Sequence, residues 1–133
     1  MNDMKGAHGM RVHNDLVLKA RMRLLSHDGR VLRGEEGLRV YRMLFPLAPR
    51  VYGSRLAYVL IEASRRPALA ALPGRRRGLL EEALAAARVL DEDQPYRAKM
   101  LDRALRDLAL LDARETTAAT PEVQPQQEEG AGR

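Results

Sequence analysis

Three histidines, three serines, one acidic triplet and a group of arginines are the residues of this chain whose types could do chemistry. His8 and His13 stand five positions apart. That misses the i, i+4 spacing that turns two imidazoles toward one metal from a single helix face. His27 has no partner in sequence, and with no Cys present a metal site would have to recruit carboxylates from elsewhere, so the histidines read as surface residues. Ser26, Ser54 and Ser64 lie in no G-x-S-x-G context and have no base beside them. No G-x-x-x-x-G-K pattern offers to cradle a phosphate. Asp91, Glu92 and Asp93 could attract a cation, but such a run at a helix end reads more simply as a solvated turn. No nucleophile, base and orienting group assemble, so the chain reads as a non-enzyme with no catalytic residue, no metal and no cofactor.

The arginines are the stronger signal. Arg65, Arg66, Arg75, Arg76 and Arg77 bracket one connection and would concentrate positive potential on one edge. A solvated loop accounts for them, and so does capture of an acidic partner segment or of a nucleic-acid backbone. Against nucleic acid stand the absence of Trp, the single Phe and the lack of aromatic residues interleaved with basic ones for base stacking. The charge is also uneven. Residues 114–133 hold two Arg and four Glu, a balance of −2, so the overall +5 leaves +7 on the residues before them. Twenty of the basic residues are Arg and three are Lys, a skew that a GC-rich genome would also produce.

The elements that must position these residues follow from periodicity. At 133 residues the chain has room for one domain with a modest core. No apolar run approaches the roughly 20 residues of a membrane helix, since Leu16–Leu25 is interrupted by Lys19, Arg21 and Arg23. The opening MNDMKGAHGM has no apolar stretch of signal-peptide type, and the expected location is cytoplasmic. Residues 1–13 read as a flexible arm. Asn14 or Asp15 can cap a helix to about Leu25, closed near Ser26-His27-Asp28-Gly29. A second helix from Glu35 carries Leu38, Tyr41, Leu44 and Phe45 on one stripe, with Pro46 expected to kink or stop it. A third, within 53–65, aligns Leu56, Val59, Leu60 and Ala63. Residues 66–78 read as a connection with one short helical turn. A fourth helix, about 79–90, uses Leu80, Ala83, Leu84, Ala87 and Leu90. A fifth, about 96–111, uses Leu101, Ala104, Leu105 and Leu108. The expectation is an all-α helical domain over 14–113 and, from its composition of Thr, Ala, Pro, Gln, Glu and Gly, a disordered acidic tail over 114–133.

Two fifteen-residue stretches, EEGLRVYRMLFPLAP (35–49) and EEALAAARVLDEDQP (81–95), nearly repeat one another. They share Glu35/Glu81, Glu36/Glu82, Leu38/Leu84, Arg42/Arg88, Leu44/Leu90 and Pro49/Pro95, with small residues at Gly37/Ala83. The spacing resembles the second helix of a tetratricopeptide repeat: small, bulky four later, apolar three later, Pro five later. Gly37, Tyr41, Leu44 and Pro49 fit it, as do Ala83, Ala87, Leu90 and Pro95. The first-helix pattern is matched in spacing by Leu56, Val59, Leu60 and Ala63 and by Leu101, Ala104, Leu105 and Leu108, without its preferred residue types. The usual period of about 34 is stretched to 46. A plain amphipathic bundle with two similar segments is the alternative.

The resemblance implies a short solenoid of about five antiparallel helices that holds another protein in its groove. Tyr58 and Ile61, off the Leu56/Val59/Leu60/Ala63 stripe, would line that groove together with Arg55 and Arg65, receiving an amphipathic helix or extended segment. The size and organisation are similar to the small chaperones of bacterial type III secretion, whose partners are export substrates. No set of Lys and Asn suits the carboxylate clamp of some tetratricopeptide modules. A basic helical nucleic-acid-binding protein using Arg65–Arg77 is the second reading. A third is an obligate subunit or homodimer, because Leu108, Leu110 and Leu111 place apolar groups on several sides of the last helix.

Overall fold

The computed structural model describes residues 2–25 and 31–132, with side chains over 13–24 and 31–117. Among the described residues the chain is all-helical: five α-helices, one turn of 3-10 helix and no strand. α1 spans Asn2–Leu25, so Asn14 and Asp15 lie inside it and the backbone of 2–13, expected as an arm, is helical. Gly6 and Gly9 each cost a helix only about 1 kcal/mol relative to Ala, too little to end a run without proline. The turn expected at Ser26–Gly29 lies outside the described residues.

α2 (Gly34–Leu44) is entered through Gly34, whose φ of +71° is a left-handed conformation that favours glycine. Glu35 and Glu36 in its first turn and Arg42 in its last complement the helix dipole. α3 (Pro49–Ser64), α4 (Pro73–Arg88) and α5 (Pro95–Gly132) each open on a proline. Pro49 and Pro95, placed by sequence ahead of the third and fifth helices, are their first residues: the missing N–H and fixed φ suit the first helical position, where no intrahelical bond is lost. α4 also starts six residues earlier than periodicity suggested. The 66–78 connection shrinks to 65–72, containing the 3-10 turn Pro67–Leu69.

Each helix packs on the next in sequence, and α3 additionally packs on α5. Tyr41, Leu44, Leu60 and Leu80 are fully buried at the centre, with Ala57 and Ala87 closing the gaps. The α3–α4 contact is close because Gly53 has no side chain; a Cβ there would lie 2.8 Å from the Ala86 carbonyl oxygen. Segment 31–33 is strapped to α2 in the same way. A Cβ at Gly37 would collide with the Leu32 carbonyl oxygen, and the buried Leu32 N–H donates to the Tyr41 hydroxyl at 3.0 Å.

The buried set of α5 differs from the expected stripe. Met100, Ala104, Asp107 and Leu111 face the core, Leu101 and Leu108 are half-buried, and Leu105 is 52% exposed. The expectation followed the leucines. The helix instead turns Asp107 inward, where Arg65 at the end of α3 supplies two donors at 2.8 and 3.2 Å. Leu111 is the last buried side chain among those described, and the disorder expected for 114–133 falls mostly on side chains outside that set. No helix among the described residues is long and apolar enough to cross a membrane.

Candidate functional site

A cleft of about 910 Å³ opens between α3, α5 and segment 31–33. α3 contributes Val51, Ser54, Arg55 and Tyr58, at i, i+3, i+4 and i+7. α5 answers with Tyr96, Lys99, Met100 and Arg103, at the same spacing. Each wall is thus one continuous helix face, held in place by the α3–α5 packing behind it. Val31 and Arg33 close one side and Gln94 the end at the α4–α5 turn. The tie from Leu32 to Tyr41 fixes that side, because it anchors the residue between them.

The electrostatics of the cleft are one-sided. Four lining residues are cationic and none is acidic. Arg33 is compensated from just outside: it donates to both carboxylate oxygens of Glu62, which raises its already high pKa, and its guanidinium sits 6.0 Å from the centre of the Tyr58 ring. Arg55, Lys99 and Arg103 form no ion pair with any described residue. Apolar surface lies between them in Val31, Val51 and the tyrosine rings, Tyr96 being 53% exposed, with the buried Met100 beneath.

Two of the four expected groove residues, Tyr58 and Arg55, line this cleft. Ile61 does not: it is 2% exposed and part of the core, because α3 is covered on more than one side, by α2, α4 and α5. Arg65 lies beyond the cleft, its guanidinium held by Asp107, whose hydrogen bonds raise its pKa.

The basic edge is compensated from within the chain. Arg66 pairs with Glu35, and Arg77 with Asp112 and Glu115. Arg76 donates to the Ser64 carbonyl at 3.0 Å. Of the five arginines singled out in sequence, Arg75 alone has no such partner among the described residues. Arg75, Arg76 and Arg77 stand in the first turns of α4, where the helix dipole disfavours cations, and α5 supplies the carboxylates that offset this. A second cleft, of about 570 Å³ between α2, α4 and the 3-10 turn, is crossed by the Glu35–Arg66 and Arg42–Glu82 pairs.

Among the other residues considered for chemistry, Ser64 is buried and donates to the Ile61 carbonyl at 2.7 Å. Ser54 lines the main cleft, and no His, Asp or Glu stands among the lining residues to serve it as a base. Asp91, Glu92 and Asp93 are exposed in the α4–α5 turn, with Asp91 3.5 Å from Arg50. His13 is exposed, and the side chains of His8, His27 and Ser26 lie outside the described residues. No group of three or more His, Cys, Asp or Glu among the described residues could hold a metal ion.

Tyr96, Lys99, Arg103 and Val31 were missed in sequence. A signal existed: Tyr96, Lys99, Met100 and Arg103 share one face of the predicted last helix, one position off the leucine stripe that was followed. No protein-family model, curated protein or solved structure matches the chain.

Proposed function

We propose that this protein is a non-catalytic adaptor or chaperone that holds a segment of a partner protein in the α3–α5 cleft. The observation that carries this reading is the pairing of two helix faces, each spaced i, i+3, i+4, i+7, across one open cleft. A helix laid into such a groove presents its own anchors at the same spacing. The lining suits protein recognition, since Tyr, Arg and Met are the residue types enriched at interfaces. The resemblance to small tetratricopeptide chaperones of type III secretion supports the reading and makes an export substrate the first partner to look for. The nucleic-acid alternative loses support from the internal pairing of Arg65, Arg66 and Arg77, which leaves little continuous positive surface for a phosphate backbone.

The test is a change that removes the cleft wall without touching the core. Tyr58 is half-buried at the cleft surface, whereas an Asp at Ile61 would put a charge into the core and unfold rather than probe. Tyr58→Asp should leave helical content and melting behaviour close to wild type and lose the protein that co-purifies with the wild-type chain. Retention of that protein at the same stoichiometry would refute the cleft as its seat.

A further inference from the structure

We infer that the cleft selects a peptide segment bearing carboxylates, gripped by Arg55, Lys99 and Arg103; the inference rests on the adaptor reading above.

Arg23 holds Glu36, Arg42 holds Glu82 and Arg65 holds Asp107, each through two parallel hydrogen bonds. Arg33, Arg66 and Arg77 are likewise matched to carboxylates. Cations without an ion pair among the described residues, such as Arg39, Arg75 and Arg88, also occur elsewhere, but in this cleft three of them, Arg55, Lys99 and Arg103, stand on facing walls of one concavity whose lining holds no acidic residue. Like charges gathered on a shared, partly desolvated surface repel one another, and an anion between them relieves that repulsion. Guanidinium forks match carboxylates two bonds at a time, while the Lys99 ammonium adds a point charge that adapts to position.

The occupant must also satisfy the apolar part. Val51 lies on the same face as Arg55, and Tyr96 on the same face as Lys99 and Arg103, both exposed, so each wall presents apolar and cationic groups together. An acidic peptide with interspersed apolar side chains matches both; a free inorganic anion would leave the apolar surface uncovered. A single-stranded nucleic acid fits less well. It needs a basic track longer than three cations and open aromatic faces for its bases. The Tyr58 ring already has the Arg33 guanidinium 6.0 Å from its centre.

The experiment measures fluorescence anisotropy of a short labelled peptide rich in Glu and Leu, beside a counterpart with every Glu replaced by Gln, using the full chain. The Glu peptide should bind at least about tenfold more tightly than the Gln peptide, with affinity falling as salt rises. The triple variant Arg55→Gln, Lys99→Gln, Arg103→Gln should abolish that difference while its circular dichroism and melting stay those of wild type, since none of the three is buried. Equal binding of the two peptides, both lost on Tyr58→Asp, would overturn the carboxylate selectivity and leave the cleft reading standing. Undiminished selectivity in the triple variant would overturn the assignment to these cations. No binding of either peptide, or tighter binding of a single-stranded oligonucleotide through the same three residues, would overturn the inference as well.

Discussion

Tyr41 does two jobs at once. Its ring is fully buried, 6.5 Å from that of Tyr52, and its hydroxyl accepts the Leu32 N–H that anchors the segment beside the cleft. Tyr41→Phe keeps the ring and orphans a buried donor, which costs about 1–3 kcal/mol. Chemical denaturation should show that loss, and amide exchange should show Leu32 as the most strongly deprotected position. A variant as stable as wild type would mean the Leu32 N–H finds another partner. At this scale the sequence was legible where burial follows apolar character: Leu38, Tyr41 and Leu44 are in the core as their spacing required. It was misleading for Ile61, placed on a groove by helix angle alone. A helix with neighbours on several sides buries more than one stripe.

At the level of elements, the five helices and their order were readable from periodicity, whereas their ends and rotations were less so. A proline marks a boundary but does not say on which side of it the helix lies; Pro49 and Pro95 open the helices they were expected to precede. α5 is rotated from its leucine stripe, and the carboxylate this buries is met by an arginine from 42 residues away. No local pattern contains that information. The same holds for the basic edge, whose counter-ions on α2 and α5 are more than 30 residues distant in sequence. Close approach of α3 and α4 is a further element-level device. Gly53→Ala would gain about 1 kcal/mol in helix propensity, but the Cβ would press on the Ala86 carbonyl, backbone that cannot swing away. Overpacking of this kind costs about 1–3 kcal/mol, so a net loss of stability is expected by thermal or chemical melting. Gain of stability would show that the two helices separate freely.

For the whole molecule, function depends on what the stacking leaves uncovered. Packing of α3 against both α4 and α5 builds the core and, on the other side, sets two helix faces across from one another. Arg65, Arg66 and Arg77 on the neighbouring edge are compensated within the chain, whereas three of the four cations lining the cleft form no ion pair with a described residue. Two lining residues of this site, Tyr58 and Arg55, were legible from the sequence as groove residues. The facing wall depended on the rotation of α5, which buries Met100, Ala104, Asp107 and Leu111 together. The most direct measurement is photo-crosslinking in the native cells, with a benzophenone amino acid at Tyr58 in the cleft and, separately, at Leu110, which is exposed and does not line it. The account predicts that position 58 crosslinks to one defined segment of one partner protein and that position 110 does not. Crosslinks of equal yield from both positions, or a partner captured from 110 alone, would contradict it.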